Sequence, residues 1–194
     1  MRWLWAQKRS YLQAAPHLPE DRAGAKERLG ELIVTLSKQL PRDVILALEP
    51  TDRDIDKYFL LGPLDETIAF IKKWRRYAPN LGLLLDMCHV PLMHETLESA
   101  IEKVDDTLVH IHLGNCKLDD PSHPFYGDKH IPWGYEGALY GENEGVKFLE
   151  MLKKTEYFDK KGATVSFEMR PYEGMSAEES LDRFVKAWER AKNS

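Results

Sequence analysis

Cysteine is scarce: Cys88 and Cys116 are the only two in 194 residues, and they have no CxxC spacing. That excludes a disulfide framework and makes a reducing compartment the simpler reading. No apolar run approaches the ~20 residues that a membrane-spanning helix needs. The N-terminal MRWLWAQKRS has no apolar h-region and no small-residue cleavage site, so the expected location is the cytoplasm. Basic residues are not in excess either: 27 Lys and Arg face 32 Asp and Glu, a net charge of -5. This argues against a general nucleic-acid binder, which usually shows a basic face, but not against an enzyme whose metal handles a phosphate. Internal repeats and low-complexity segments are also missing.

What is there fits one domain spanning residues 1–194. Hydrophobic residues make up 43% and charged residues 30%, enough to bury a real core. Four segments read as buried strands: 44–49 (VILALE), 81–86 (LGLLLD), 107–113 (TLVHIHL) and 163–169 (ATVSFEM). Each is a short apolar run rather than an alternating one, as strands covered on both faces require. Helical periodicity covers 20–40, 65–77, 94–104, 144–155 and 176–192, with no strand read before the first helix. The last helix opens on Ser-Ala-Glu-Glu, a capping box of Ser176 and Glu179. Alternating helix and strand imply a parallel α/β sheet. The longest aperiodic stretch, 114–143, is rich in Gly and Pro, and a connection of that length is usually functional.

The ionisable groups fall at the carboxyl ends of the strands, where parallel α/β proteins gather their ligands. Glu49, Asp86 and Glu168 close three strands, His89 follows Asp86, and the third strand carries His110 and His112 on one side. Taken singly, Glu49 or Asp86 reads equally as a strand-end cap or ion-pair partner. His110 reads as a packed, hydrogen-bonded histidine, Cys88 as a small buried residue beside the site, and His94 as exposed. Trp3, Trp5 and Trp74 read as helix-packing aromatics. Jointly, three crowded carboxylates would raise one another's pKa unless a cation joins them. A mixed oxygen and imidazole shell suits Mn, Co, Zn or Mg.

The segments ALEP (47–50), LLLDMCH (83–89), HIHLGN (110–115) and FEMRP (167–171) resemble the xylose isomerase-like TIM-barrel superfamily. They look most like its sugar phosphate isomerase and epimerase group, including ketohexose 3-epimerases, and more distantly like endonuclease IV. Order and spacing match the second half of such a barrel. The resemblance implies a partial (β/α)8 TIM barrel with about four strands, completed by a homodimer or by a partner that supplies the missing half. It implies one divalent metal on Glu49, Asp86, His112 and Glu168, with Glu49 and Glu168 doubling as the acid/base pair. The expected substrate is a sugar or sugar phosphate, epimerised through an enediolate.

His89, Arg170 and Lys117 are the expected substrate contacts. Gly127-Asp128-Lys129-His130 resembles the Asp-x-His element of endonuclease IV, so His89, Asp128 and His130 are a possible second metal set; a surface turn around Gly127 is the plainer alternative. Two other functions follow from these features: an endonuclease IV-like zinc phosphodiesterase, and a non-catalytic metal-binding half-barrel.

Overall fold

The computed structural model describes residues 9–12, 21–160 and 162–193. Five strands form one parallel sheet: β1 (Arg9–Leu12), β2 (Ile45–Leu48), β3 (Leu81–Asp86), β4 (Leu108–Leu113) and β5 (Val165–Phe167). Their spatial order equals their chain order, as in the wall of a barrel. The helices are α1 (Arg22–Gln39), α2 (Leu64–Trp74), α3 (His89–Leu92), α4 (Leu97–Lys103), α5 (Glu142–Lys153) and α6 (Ala177–Asn193). Among the described residues no helix is long and apolar enough to cross a membrane. Trp3 and Trp5 lie outside the described residues, whereas Trp74 is buried in the core.

Four strands fall where apolar runs place them. The expectation that no strand precedes the first helix is corrected: β1 pairs with β2 from Arg9↔Ile45 to Leu12↔Leu48. Its sequence, Arg-Ser-Tyr-Leu, is not an apolar run, so its pairing is set by the neighbouring strand. The helix read over 94–104 is one helix with a later start: α4 begins at Leu97, because His94 takes a positive φ of 60° and Thr96 caps α4 by accepting from the Ser99 amide at 3.1 Å. His94 itself is exposed, with its imidazole 2.9 Å from Asp54. The capping box of α6 forms as read: the Ser176 amide donates to Glu179 at 2.7 Å and the Glu179 amide to Ser176 at 3.1 Å.

One face of the sheet packs on the helices through Leu48, Leu85, Ile111, Leu113 and Phe167, which belong to a single apolar cluster with Ile33, Ile71 and Phe148. Strand side chains alternate, so the residue after Leu48, Leu85, Ile111 or Phe167 turns to the other face. Those residues are Glu49, Asp86, His112 and Glu168. Burial of the apolar face thus fixes the direction of the ionisable groups.

A register shift completes the arrangement. Leu83 lies opposite Leu108, but Leu84 lies opposite His110. An unbroken ladder would put Ile111 beside Asp86; the extra residue, Val109, puts His112 there instead.

The 114–143 connection is tied down by Asn115. Its side-chain amide donates to the oxygens of Pro132 (3.2 Å) and Tyr140 (2.8 Å), and its Oδ1 accepts from the amides of Cys116 and Tyr140, both at 3.0 Å. Trp133 of the same segment is fully buried, edge-on to Phe167 and Phe184.

Candidate metal centre

Glu49, Asp86, His112 and Glu168 each offer one ligand atom, and these atoms lie within 4.8 Å of one another. His112 Nδ1 is 3.4 Å from Glu49 Oε1 and 3.6 Å from Asp86 Oδ2, and it also contacts Glu168 Oε2. Asp86 is fully buried; its Oδ1 accepts from the Cys88 amide at 2.5 Å, while its Oδ2 has no hydrogen-bond partner among the described residues. A buried carboxylate oxygen left so is costly unless a cation meets it. Gly114 leaves room for this carboxylate: a Cβ there would come within 2.5 Å of Asp86 Oδ1.

His110 lies beneath, its ring edge-on to His112 at 4.9 Å. Its Nδ1 is 2.6 Å from Thr164 Oγ1 and its Nε2 is 3.0 Å from Ser166 Oγ. It is a packed, hydrogen-bonded histidine, and both ring nitrogens are engaged away from the ligand atoms.

A second group adjoins the first. Cys88, His89, Asp128 and His130 also bring ligand atoms within 4.8 Å of one another. His89 Nε2 is 3.3 Å and His130 Nε2 2.8 Å from Asp128 Oδ1. The opposite ring nitrogens face backbone oxygens, His89 Nδ1 that of Pro50 (3.0 Å) and His130 Nδ1 that of Glu168 (2.8 Å). A carbonyl only accepts, so both Nδ1 atoms carry protons, and in the neutral ring both Nε2 lone pairs converge on Asp128. The groups touch: His89 Nδ1 lies 3.6 Å from Glu49 Oε1, and His130 Nδ1 lies 3.9 Å from Asp86 Oδ2. Cys88 is fully buried, with Sγ 3.2 Å from the Asn115 oxygen and 3.7 Å from Asp128.

Electrostatics follow from four carboxylates in one pocket. Burial opposes charge on His112, but its close contacts with the Asp86, Glu168 and Glu49 carboxylates outweigh it and raise its pKa to about 12. Burial likewise opposes charge on His89, and Asp86, Asp128 and Glu49 overcome it, to about 10. Burial would raise Asp86, yet His89, His112 and His130 hold it below the usual carboxylate range. Asp128 is held well below that range by His130 and His89, again against its burial. Burial, Cys116 and Asp86 push the Cys88 thiol well up. With protons alone the histidines supply the positive charge that the pocket needs. A divalent cation supplies it equally, and the donor set fits one.

The remaining expected contacts separate. Arg170 is exposed; its Nε donates to the Lys129 oxygen at 2.8 Å and its guanidinium lies over the Phe125 ring. It lines a cleft of about 450 Å³ with Asp128, His130 and Glu168. Lys117 is not in that lining. It is buried, with its amine 2.8 Å from Asp119 and 3.2 Å from the Glu136 oxygen. Sequence reasoning did not single out Asp52 and Asp56, which shape the loop beside the second group. Their signal was the acid-rich stretch Asp52-Arg-Asp-Ile-Asp56 directly after Glu49-Pro50-Thr51.

A parallel α/β sheet with carboxylates and histidines converging at its strand ends is the wall of a barrel-type fold with its candidate site where such barrels place theirs. The chain belongs to the xylose isomerase-like TIM barrel family, whose model matches residues 8–192. It is 29% identical over 171 residues to a D-psicose 3-epimerase of Enterocloster bolteae, covering 86% of this chain and 51% of that protein. It is also similar in fold to a structure of the IOLI protein with a bound zinc atom (TM-score 0.66, 20% identity, 95% of this chain, 62% of the other). A further match is a family 2 AP endonuclease from Brucella melitensis (TM-score 0.64, 18% identity, 92% and 60%). The chain spans about half the length of the curated relative that it matches.

Proposed function

We propose that the chain carries the proton-transfer centre of an isomerase or epimerase that acts on a sugar or sugar phosphate through an enediolate. The observation that carries this reading is the placement of Glu49 and Glu168. They follow β2 and β5, which β3 and β4 separate, yet their carboxylates meet around Asp86 and His112. Two carboxylates that approach from different strands suit removal of a proton from one face of a carbon and delivery to the other. Likeness to a D-psicose 3-epimerase supports the substrate class.

Glu49, Asp86, His112 and Glu168 would hold the divalent ion, which supplies Lewis acidity toward substrate oxygens when bound. His112 is oriented by its contacts with all three acids. Glu168 takes up the proton of the carbon beside the carbonyl and Glu49 returns one, or the reverse. Arg170 stands two residues beyond Glu168 on the cleft and offers a bidentate clamp to an anionic end of the substrate. His89, braced on the Pro50 oxygen, is buried behind Asp128, which lines the cleft, and would act on substrate only through that acid.

The test is solvent deuterium exchange into a ketose substrate by the metal-loaded protein. Glu168→Gln abolishes exchange on this reading; unchanged exchange overturns the role of Glu168.

The second group favours one other reading, a zinc phosphodiesterase, because such chemistry uses several neighbouring ions. The AP endonuclease among the similar folds is consistent with it. Two or three zinc ions per chain together with phosphodiester hydrolysis fit this second reading. One manganese, cobalt or magnesium ion fits the first. No uptake of any added ion leaves a non-catalytic half-barrel.

A further inference from the structure

The loop between β2 and α2 is built around a buried acid. Asp52 is fully buried, and its carboxylate accepts from four consecutive backbone amides: Ile55 (2.9 Å), Asp56 (2.8 Å), Lys57 (2.8 Å) and Tyr58 (3.4 Å). Four donors on one carboxylate close the chain into a tight ring. The Phe59 amide donates back to the Asp52 oxygen at 2.8 Å and seals it. Tyr58 takes a positive φ of 57° within this ring, a conformation that costs a non-glycine residue energy and that the surrounding bonds must hold.

The ring presents Asp56 to the loop that carries the second group. Asp56 Oδ2 accepts from the Asp128 amide at 2.9 Å and from Lys129 Nζ at 2.7 Å. Gly127, with φ of 85°, lies so close that a Cβ there would meet Asp56 at 2.8 Å. Asp56 touches neither His89 nor His130. What it fixes is the backbone of Asp128, and that backbone sets where Oδ1 meets both Nε2 atoms.

We infer that Asp56, held by the Asp52 ring, is a positioning residue that latches the 127–130 loop so that Asp128, His89 and His130 form one ion site. The inference rests on the reading of this second group as an ion site, which the phosphodiesterase reading requires and the isomerase reading permits. Groups that orient a ligand from behind typically govern 10- to 100-fold in metal affinity. Asp56 is such a group, acting on the main chain rather than on the ligand side chain.

The test is zinc titration of the full chain against a competing chelator, with metal stoichiometry measured on the same samples. Asp56→Ala is expected to weaken the second zinc equivalent by roughly 10- to 100-fold and to leave the first unchanged. Asp56→Asn keeps an oxygen for the Asp128 amide and is expected to restore most of that affinity. Lys129→Met, which removes only the ion pair, is expected to lose far less than Asp56→Ala. Circular dichroism confirms that each variant folds; if Asp56→Ala does not, the Asp56→Asn and Lys129→Met pair is decisive, since losses of 10-fold or more in both would overturn the inference. Unchanged second-site affinity in a folded Asp56→Ala overturns the latch while keeping the ion site. A wild-type protein that takes up a single zinc overturns the ion site, and the latch with it.

Discussion

His89 Nδ1 donates to the backbone oxygen of Pro50 at 3.0 Å, one residue beyond Glu49. One short segment, Glu49-Pro50, therefore places a carboxylate of the first group and fixes a ring of the second. Both groups then respond to protons together.

Metal uptake is expected to release protons. His89 and His112, raised to about 10 and about 12, are charged at neutral pH before metal arrives. An ion must displace those protons, so affinity rises with pH. Stability of the metal-free chain moves the other way. A raised histidine contributes stability in full below its unfolded value of ~6.5, which is lost as pH climbs toward about 10 for His89 and about 12 for His112. Asp86 and Asp128, depressed, contribute above ~4 and lose it in acid. Thermal melts with chelator or with zinc, from pH 4 to 9, check this. The gain from zinc should widen from pH 6.5 upward, and a gain independent of pH would contradict the proton competition.

Gly114→Ala is expected to cost about 1–3 kcal/mol and to weaken metal binding. A Cβ at 114 meets Asp86 Oδ1 at 2.5 Å and Cys88 Cβ at 2.6 Å, both in buried surroundings that have no slack. Denaturant melts and zinc titration read the two effects. A neutral substitution would show that Asp86 can shift freely.

Asn115→Ala is expected to destabilise the chain by about 1–3 kcal/mol, through buried partners left unmet. Four hydrogen bonds join Asn115 to Pro132, Cys116 and Tyr140. Limited proteolysis should then cut within 116–140. Resistance equal to that of the unaltered chain would assign the hold on this loop to Trp133 instead.

Association is expected to give a particle of twice the chain mass on light scattering. β5 is an edge strand whose three residues are only half buried, whereas all six of β3 are buried. Such an edge offers unpaired backbone groups to a second copy, and closed two-fold pairing is the common solution. A stable monomer at micromolar concentration would contradict it.

Much of this molecule was legible in its sequence because burial writes itself in apolar runs. β3 was read at its observed bounds; Glu49, Asp86 and Glu168 stand out as the acids that close such runs, and His112 as one of two histidines carried on the third. β1 was not legible, since Arg-Ser-Tyr-Leu carries no run and takes its form from β2. Nor was the later start of α4, since the positive φ at His94 depends on local packing rather than on periodicity. Cys88 was read as a buried neighbour, and its thiol lies with the second group. Asp52 and Asp56 stand in a visible acid-rich stretch, but they work through backbone amides, so the sequence shows the acids and not their task.

The residue after β5 serves both groups at once: the Glu168 carboxylate belongs to the first, and its backbone oxygen faces His130 Nδ1 of the second at 2.8 Å. Neither group is therefore complete until β5 lies against β4, and the last strand of the sheet is the clasp that both share.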